Sequence, residues 1–197
     1  LTHLPDNGSV LITSEGLGLC GLTVAGPHAR AVLACLTPAD VSDEAFKFMA
    51  IRNLNLGMVP ALVGRVSYTG DLGYEIWVKP EYQRRLFDDL KAVGEPYKIG
   101  LFGSRALNAL RLEKNFGSWG REFRPVYYPN ETGLERFCAF EKAPNFIGKA
   151  AAAKVSSQNG GAYRLRNFIV ETKDADVIGD EPIFYKGEVA GWVTSGG

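Results

Sequence analysis

Short apolar and β-branched runs in the first third of the chain predict a set of strands. Residues 9–13 and 19–24 are two such runs, each bounded by glycine. Residues 46–55 and 58–68 supply more apolar positions and are interpreted as two strands joined at Gly57.

A further strand shows strict alternation. Tyr74, Ile76 and Val78 share one face, and Glu75 and Trp77 share the other. If protein covers both faces of the sheet, Glu75 is a buried or half-buried carboxylate. Such a carboxylate requires a partner that donates hydrogen bonds.

Helical periodicity appears in four segments. One opens at Gly26-Pro27, where proline suits a first helical turn, and others are predicted at 81–93, 104–114 and 146–155. Ser104 is a candidate N-cap for the third. Residues 115–133, rich in aromatic residues, glycine and proline, form a long loop of the kind that often carries function.

The last forty or so residues read differently. Residues 156–161, Ser-Ser-Gln-Asn-Gly-Gly, form the best candidate linker. Strands are predicted at 163–171, 181–185 and 188–194, with Lys186-Gly187 as the hairpin turn between the last two. We therefore expect an α+β fold of antiparallel sheets with packed helices over residues 1–155, followed at 156–197 by the start of a mostly-β domain.

Composition narrows the classes of partner. Twenty-two basic residues balance twenty-two acidic ones, so no general attraction to nucleic acid or to an anionic membrane is expected. No apolar run approaches the ~20 residues of a membrane span. The three cysteines contain no Cys-x-x-Cys pair and the two histidines lie far apart, so no metal site is predicted. Reduced thiols favour a cytoplasmic protein, or a mitochondrial matrix protein in a eukaryote.

Several common catalytic patterns are absent or weak. Residues 16–21 match G-x-G-x-x-G, but a strand follows where a dinucleotide site needs a helix. No nucleophile–base pair and no pair of carboxylates stands out, so no catalytic residue is assigned in this chain.

Two segments keep a functional interpretation beside an ordinary one. Residues 68–75 read either as a hairpin with a Gly-Asp turn, which the pattern alone favours, or as a site where Glu75 accepts two N–H groups of an amino-pyrimidine edge. In the second segment, Arg111 is either part of an exposed helix end or a contact to a ligand's carboxylate or carbonyl group. Trp119 would then offer a flat face to a bound ring.

Four motifs in order resemble those of the aminomethyltransferase family, the T-protein of glycine cleavage and its relatives. Residues 67–76, Ser-Tyr-Thr-Gly-Asp-Leu-Gly-Tyr-Glu-Ile, resemble the family's S/G-Y-T/V-G-E-x-G-x-E-I/L signature. Residues 111–113 match its R-L-E, residues 145–149 its D-F-I-G-K/R, and residues 191–197 its G-x-V-T-S-G-G. Residues 22–33 also resemble its L-A-V-Q-G-P segment.

Within that family, residues 106–114 most resemble the folate-binding region of dimethylglycine and sarcosine dehydrogenases or oxidases. T-proteins usually carry A-R-D-S-L-R-L-E here, and their first arginine falls on Leu107 of this chain. This departure argues against a glycine-cleavage role with a lipoyl carrier protein as partner.

The resemblance implies capture of a one-carbon unit from a methylated amine or amino acid by N5 of tetrahydrofolate, giving methylene-tetrahydrofolate. It places Glu75 on the pterin edge and Tyr68 beside the folate, with Arg111 and Trp119 as further cofactor-binding candidates. The family's catalytic aspartate is expected before residue 1, and Asp71 does not replace it, so the chain alone is expected to be inactive. The resemblance also implies that the barrel of the C-terminal domain continues past Gly197, and that FAD would belong only to an upstream domain. A folate-dependent demethylase on the same scaffold and a non-catalytic folate-binding module remain alternatives.

Overall fold

The computed structural model describes residues 4–157 and 161–197, which form two compact units. The first extends to Leu101 and the second begins at Phe102. The α+β class is confirmed, because both units combine antiparallel strands with helices. The predicted division near residue 155 and the start of a barrel stay predictions.

The first unit is built on a four-stranded antiparallel sheet of order β1-β4-β3-β2. Its strands are β1 (Cys20–Ala25), β2 (Ile51–Leu56), β3 (Val59–Gly64) and β4 (Gly73–Val78). Both neighbours of β4 are antiparallel to it, so β4 is a central strand whose backbone is paired on both edges.

Two helices of the first unit cover one face of this sheet, α1 (Ala29–Ala34) and α2 (Pro80–Gly94). Their buried side chains join a core with Tyr74, Ile76 and Val78, which are at most 2% exposed. The predicted alternation of β4 is therefore confirmed. It leaves Glu75 and Trp77, both half-buried, on the opposite face.

The second unit contains α3 (Ser104–Glu113), α4 (Lys149–Ser157) and the hairpin of β5 (Pro182–Tyr185) and β6 (Glu188–Trp192). Lys186 and Gly187 both have positive φ, which confirms the predicted turn, because a two-residue hairpin turn needs that conformation.

The long segment between α3 and α4 is irregular, as predicted, and polar contacts hold it. The carboxylate of Glu131 accepts backbone N–H groups from Tyr128, Ala162 and Tyr163 at 2.9–3.1 Å. The rings of Tyr163 and Trp192 meet edge to face at 5.0 Å, so this anchor also reaches the hairpin.

Several predicted boundaries are wrong. Residues 9–13 and 163–171 were predicted as strands from their composition. In the structure they are mostly exposed and belong to neither sheet. The strand predicted at 46–55 begins only at Ile51, because Phe46 packs into the core ahead of it. Helix α3 is capped by Gly103 and not by Ser104, which is its first helical residue.

Two further boundaries shift. The helix predicted from residue 146 begins at Lys149, directly after Gly148, whose positive φ is not helical. Of the predicted linker, Ser156 and Ser157 belong to this helix and residues 158–160 lie outside the described residues.

Candidate functional site: the outer face of the first sheet

The turn before β4 is locked by side-chain hydroxyls. The Ser67 and Thr69 oxygens are 2.7 Å apart, and Thr69, 3% exposed, accepts the backbone N–H of Asp71 at 3.3 Å. These bonds satisfy polar groups that the turn would otherwise leave unpaired. The structure of the turn thus explains two residues of the family signature, Ser67 and Thr69.

The two glycines of the same signature also have structural reasons. Gly70 has φ of +79°, a conformation that side chains rarely adopt. A Cβ on Gly73 would lie 2.6 Å from the Ser67 Cβ and 3.1 Å from the Val24 carbonyl oxygen. Gly73 therefore excludes a side chain, and the backbone conformation of Gly70 disfavours one.

Glu75 differs from these residues because its carboxylate makes no hydrogen bond or ion pair among the described residues. In the sheet it lies opposite Thr23 of β1 and Gly64 of β3. Directly opposed residues share a face, so its neighbours there are a threonine and a glycine, and neither carries charge. A half-buried carboxylate without a donor is destabilising unless a ligand or water supplies one.

Trp77 lies two residues further along β4 on the same face, opposite Gly21 and Leu62. A Cβ on Gly64 would be 3.1 Å from Cζ3 of the indole, and one on Gly21 would be 3.5 Å from its Cδ1. Trp77 was not among the residues predicted for the site. The alternation of β4 had placed it beside Glu75, and the two glycines are the signal that would have selected it.

The other residue predicted in this unit, Tyr68, is half-buried in the turn that precedes β4. Tyr68 and Glu75 both belong to the first unit, whereas Arg111 and Trp119 belong to the second.

Arg111, on α3, is 3% exposed, and its guanidinium nitrogens are all hydrogen-bonded to protein oxygens. Nη1 donates to the Phe116 carbonyl at 2.9 Å and to the Glu122 carboxylate at 3.1 Å. Nη2 donates to Asn108 at 2.7 Å and to the Ser195 hydroxyl at 2.5 Å. The exposed helix end that sequence reasoning had offered as the alternative is therefore not what the structure contains.

Glu122 completes this network, and sequence reasoning missed it. One carboxylate oxygen accepts the Ser195 hydroxyl at 2.7 Å and the other accepts the Ser118 N–H at 2.8 Å. Burial alone would raise the pKa of Glu122. Hydrogen bonds from Ser195, Thr194 and Ser118 together with the Arg111 charge outweigh it, so the pKa lies below the ordinary value.

The network joins two motifs of the resemblance. Asn108 donates from its amide nitrogen to the Gly196 carbonyl at 3.0 Å, and Ser195 bonds both Arg111 and Glu122. The segment 194–197 is thereby attached to α3. Trp119, in contrast, is 82% exposed, and its ring meets that of Phe123 edge to face at 6.3 Å between ring centroids.

Other kinds of site receive no support within residues 4–157 and 161–197. Among them, no group of three or more His, Cys, Asp or Glu side chains is placed to hold a metal ion. Nor is any helix in those ranges both long and apolar enough to cross a membrane.

A family model described as the GCVT N-terminal domain matches residues 1–142, most of the chain. The chain belongs to this family. The GCVT assignment agrees with the signature around Glu75 and with the R-L-E of α3, both of which lie inside the matched range.

Relatives in the GCVT group are enzymes of different lengths. Mouse mitochondrial dimethylglycine dehydrogenase is 45% identical over 94% of this chain, which spans only 21% of that protein. The aminomethyltransferase of Streptomyces coelicolor is 33% identical over 89% of this chain, which spans 47% of it. The resemblance to the dehydrogenase type is thus confirmed. Folate-dependent one-carbon transfer is supported at the level of the family.

A third relative is named as a regulatory subunit and not as an enzyme. The mouse mitochondrial pyruvate dehydrogenase phosphatase regulatory subunit is 30% identical over 98% of the chain, which spans 22% of that protein. The chain thus covers a minor part of each of these three relatives.

Proposed function

We propose that this chain binds tetrahydrofolate on the outer face of the first sheet and serves one-carbon transfer in an enzyme of the dimethylglycine dehydrogenase type. The observation that carries the proposal is the carboxylate of Glu75. It is the one charged group of the signature on β4, and it has no partner among the described residues. The signature's serine, threonine and glycines are explained by the turn itself.

The chemistry of the pterin edge fits this carboxylate. The edge presents an exocyclic amine and a ring N–H side by side, and a carboxylate can accept both at once. Because Gly64 lies opposite Glu75, no side chain from β3 competes for the same space. When bound, tetrahydrofolate supplies the nitrogen nucleophile that takes up the one-carbon unit, and Glu75 would orient its ring.

The remaining candidates have distinct proposed parts. Tyr68 would line the folate beside the turn. Trp119, in the second unit, keeps from the family resemblance a proposed part in folate binding, and its ring is 82% exposed. Since the nitrogens of Arg111 are engaged by protein oxygens, its proposed part is to position the 116–122 loop that carries Trp119, with direct ligand contact as the alternative.

The substrate class proposed is a small methylated amine or amino acid, without a lipoyl carrier. A second candidate, a non-catalytic folate-binding module, is favoured by the identity with the phosphatase regulatory subunit. Turnover by the whole protein, and not by this chain alone, separates the two, because a module would bind folate without producing methylene-tetrahydrofolate. Formation of methyl-tetrahydrofolate would instead indicate the demethylase.

A melting experiment tests the binding that every version of the proposal requires. A ligand that binds only the folded state stabilises it, by about 2.7 kcal/mol when present at a hundredfold excess over Kd. The melting temperature should therefore rise with 5-formyltetrahydrofolate, a reduced folate that resists oxidation. An unchanged melting temperature at millimolar ligand would count against folate binding by this chain.

A further inference from the structure

The indole of Trp77 lies across three strands of the first sheet. A Cβ on Gly64 would be within 3.1 and 3.3 Å of Cζ3 and Cη2, on the six-membered ring. A Cβ on Gly21 would be within 3.5 and 3.6 Å of Cδ1 and Nε1, on the five-membered ring. Opposite ends of the side chain thus approach the backbones of β3 and β1, so the long axis of the indole runs along the sheet and crosses β4.

The two glycines make this orientation possible. A tryptophan on a sheet normally stands beside the side chains of its cross-strand neighbours. Here Gly21 and Gly64 leave the space that such side chains would fill, and neither glycine has a positive φ that would explain its presence by backbone conformation. At Gly64 a Cβ 3.1 Å from the ring would push the indole aside, whereas at Gly21 a Cβ would make ordinary contact and a larger side chain would be needed to compete for the space.

The indole lies beside Glu75 on this face. Residues two apart in a strand share a face and lie about 7 Å from each other. The six-membered ring of Trp77 reaches still closer, because it approaches Gly64, the residue paired with Glu75. A carboxylate without a partner among the described residues and a half-buried aromatic side chain are therefore adjacent.

We propose that Trp77 is a further ligand-binding residue, a step that rests on the folate function proposed above. Its indole packs against the pterin, contacting the pyrimidinone ring and the C–H groups of the reduced ring. Glu75 holds the amine edge of the same ring system. Glu75 supplies orientation, and Trp77 supplies apolar contact area.

Calorimetry with 5-formyltetrahydrofolate tests this on the wild-type chain and on W77L, W77F and F48L. Aromatic contacts of this kind are worth about twofold to tenfold in affinity, so W77L should raise Kd by a factor in that range. W77F, which keeps a smaller ring, should raise Kd by less than W77L does. F48L removes a ring that is 69% exposed outside this face and should leave Kd unchanged.

A second variant moves the indole without removing it. Gly64→Ala leaves Trp77 in place but sets a methyl group 3.1 Å from its ring, so the indole must shift by a few tenths of an ångström. The same methyl group lies opposite Glu75, so the decision on Trp77 rests on W77L and W77F. We expect a changed Trp77 emission in a protein whose other two tryptophans, Trp119 and Trp192, are replaced by phenylalanine, and a weaker quench by folate.

The outcomes separate this inference from the function on which it rests. If wild type binds no reduced folate, the proposed function fails and the inference fails with it. If wild type binds and Glu75→Gln weakens binding while W77L and W77F do not, the folate function stands and the role of Trp77 is overturned. Weakening by W77L, with a smaller effect of W77F and none of F48L, supports both.

Discussion

Arg111 and Glu122 form a buried ion pair with 3.1 Å between guanidinium and carboxylate, and each residue is at most 5% exposed. Ser195 bridges the pair, accepting from Arg111 and donating to Glu122. A buried pair of charges is sustained by such additional hydrogen bonds, because they offset the cost of removing both charges from water. The R-L-E and T-S-G-G motifs are therefore one structural unit, although they are about eighty residues apart.

Breaking this pair should destabilise the second unit. Removing one partner of a buried ion pair leaves the other charge uncompensated and costs about 3–5 kcal/mol. We expect that loss for Glu122→Ala in urea unfolding followed by tryptophan fluorescence. Glu113→Ala, at an exposed position on α3, is the matched control and should stay within about 0.5 kcal/mol of wild type. Equal unfolding midpoints for the two variants would show that the pair contributes nothing.

Acidification should act through the two buried carboxylates of this unit. The pKa of Glu131 is lowered, first by the N–H of Tyr128 and then, against the effect of burial, by other backbone N–H groups and the Arg164 charge. That of Glu122 is lowered as well. A depressed folded-state pKa contributes stability above the unfolded value, near 4.5, and that stability is lost as the pH falls through the folded pKa.

The free energy of unfolding should therefore change little between pH 7 and about pH 5 on account of these groups, and should fall below about pH 4.5. Glu131→Gln, which cannot ionise, should flatten that fall. Urea unfolding at several pH values measures both slopes. Parallel curves for wild type and Glu131→Gln would mean that the hydrogen bonds of Glu131 do not favour its ionised form.

Gly196 is predicted to tolerate no side chain. A Cβ there would lie 1.8 Å from the carbonyl oxygen of Val177, so the backbone must move. Overpacking of this kind costs about 1–3 kcal/mol, which we expect for Gly196→Ala. Gly191→Ala is the control, because a Cβ there meets nothing within 4 Å. A thermal scan in which both variants melt together would contradict the packing described for the 194–197 segment.

Sequence pattern alone was sufficient to predict β4, because its alternating apolar residues show which side chains share the buried face. It was also sufficient for the β5–β6 turn, since Lys186-Gly187 matches a turn whose backbone conformation is demanding. Sequence-based prediction succeeded where residues close together in the sequence determine the local structure.

Sequence-based prediction failed where distant groups decide. Residues 9–13 have the composition of a strand but no paired strand in the structure, and composition carries no information on pairing. Glu122 escaped notice because its partners Arg111 and Ser195 are remote in sequence, and an isolated glutamate in a loop reads as a surface charge. Arg111 likewise looked exposed because its acceptors could not be foreseen.

Isothermal titration of 5-formyltetrahydrofolate into wild type, Glu75→Gln and Glu44→Gln tests the central claim most directly. Glu44 is exposed in a loop, so its variant controls for the lost charge. Glu75→Gln removes a charged hydrogen-bond acceptor from the pterin edge and should weaken binding by about 1–3 kcal/mol, while Glu44→Gln binds as wild type. Equal affinity of all three proteins would remove Glu75 from the site and contradict the account.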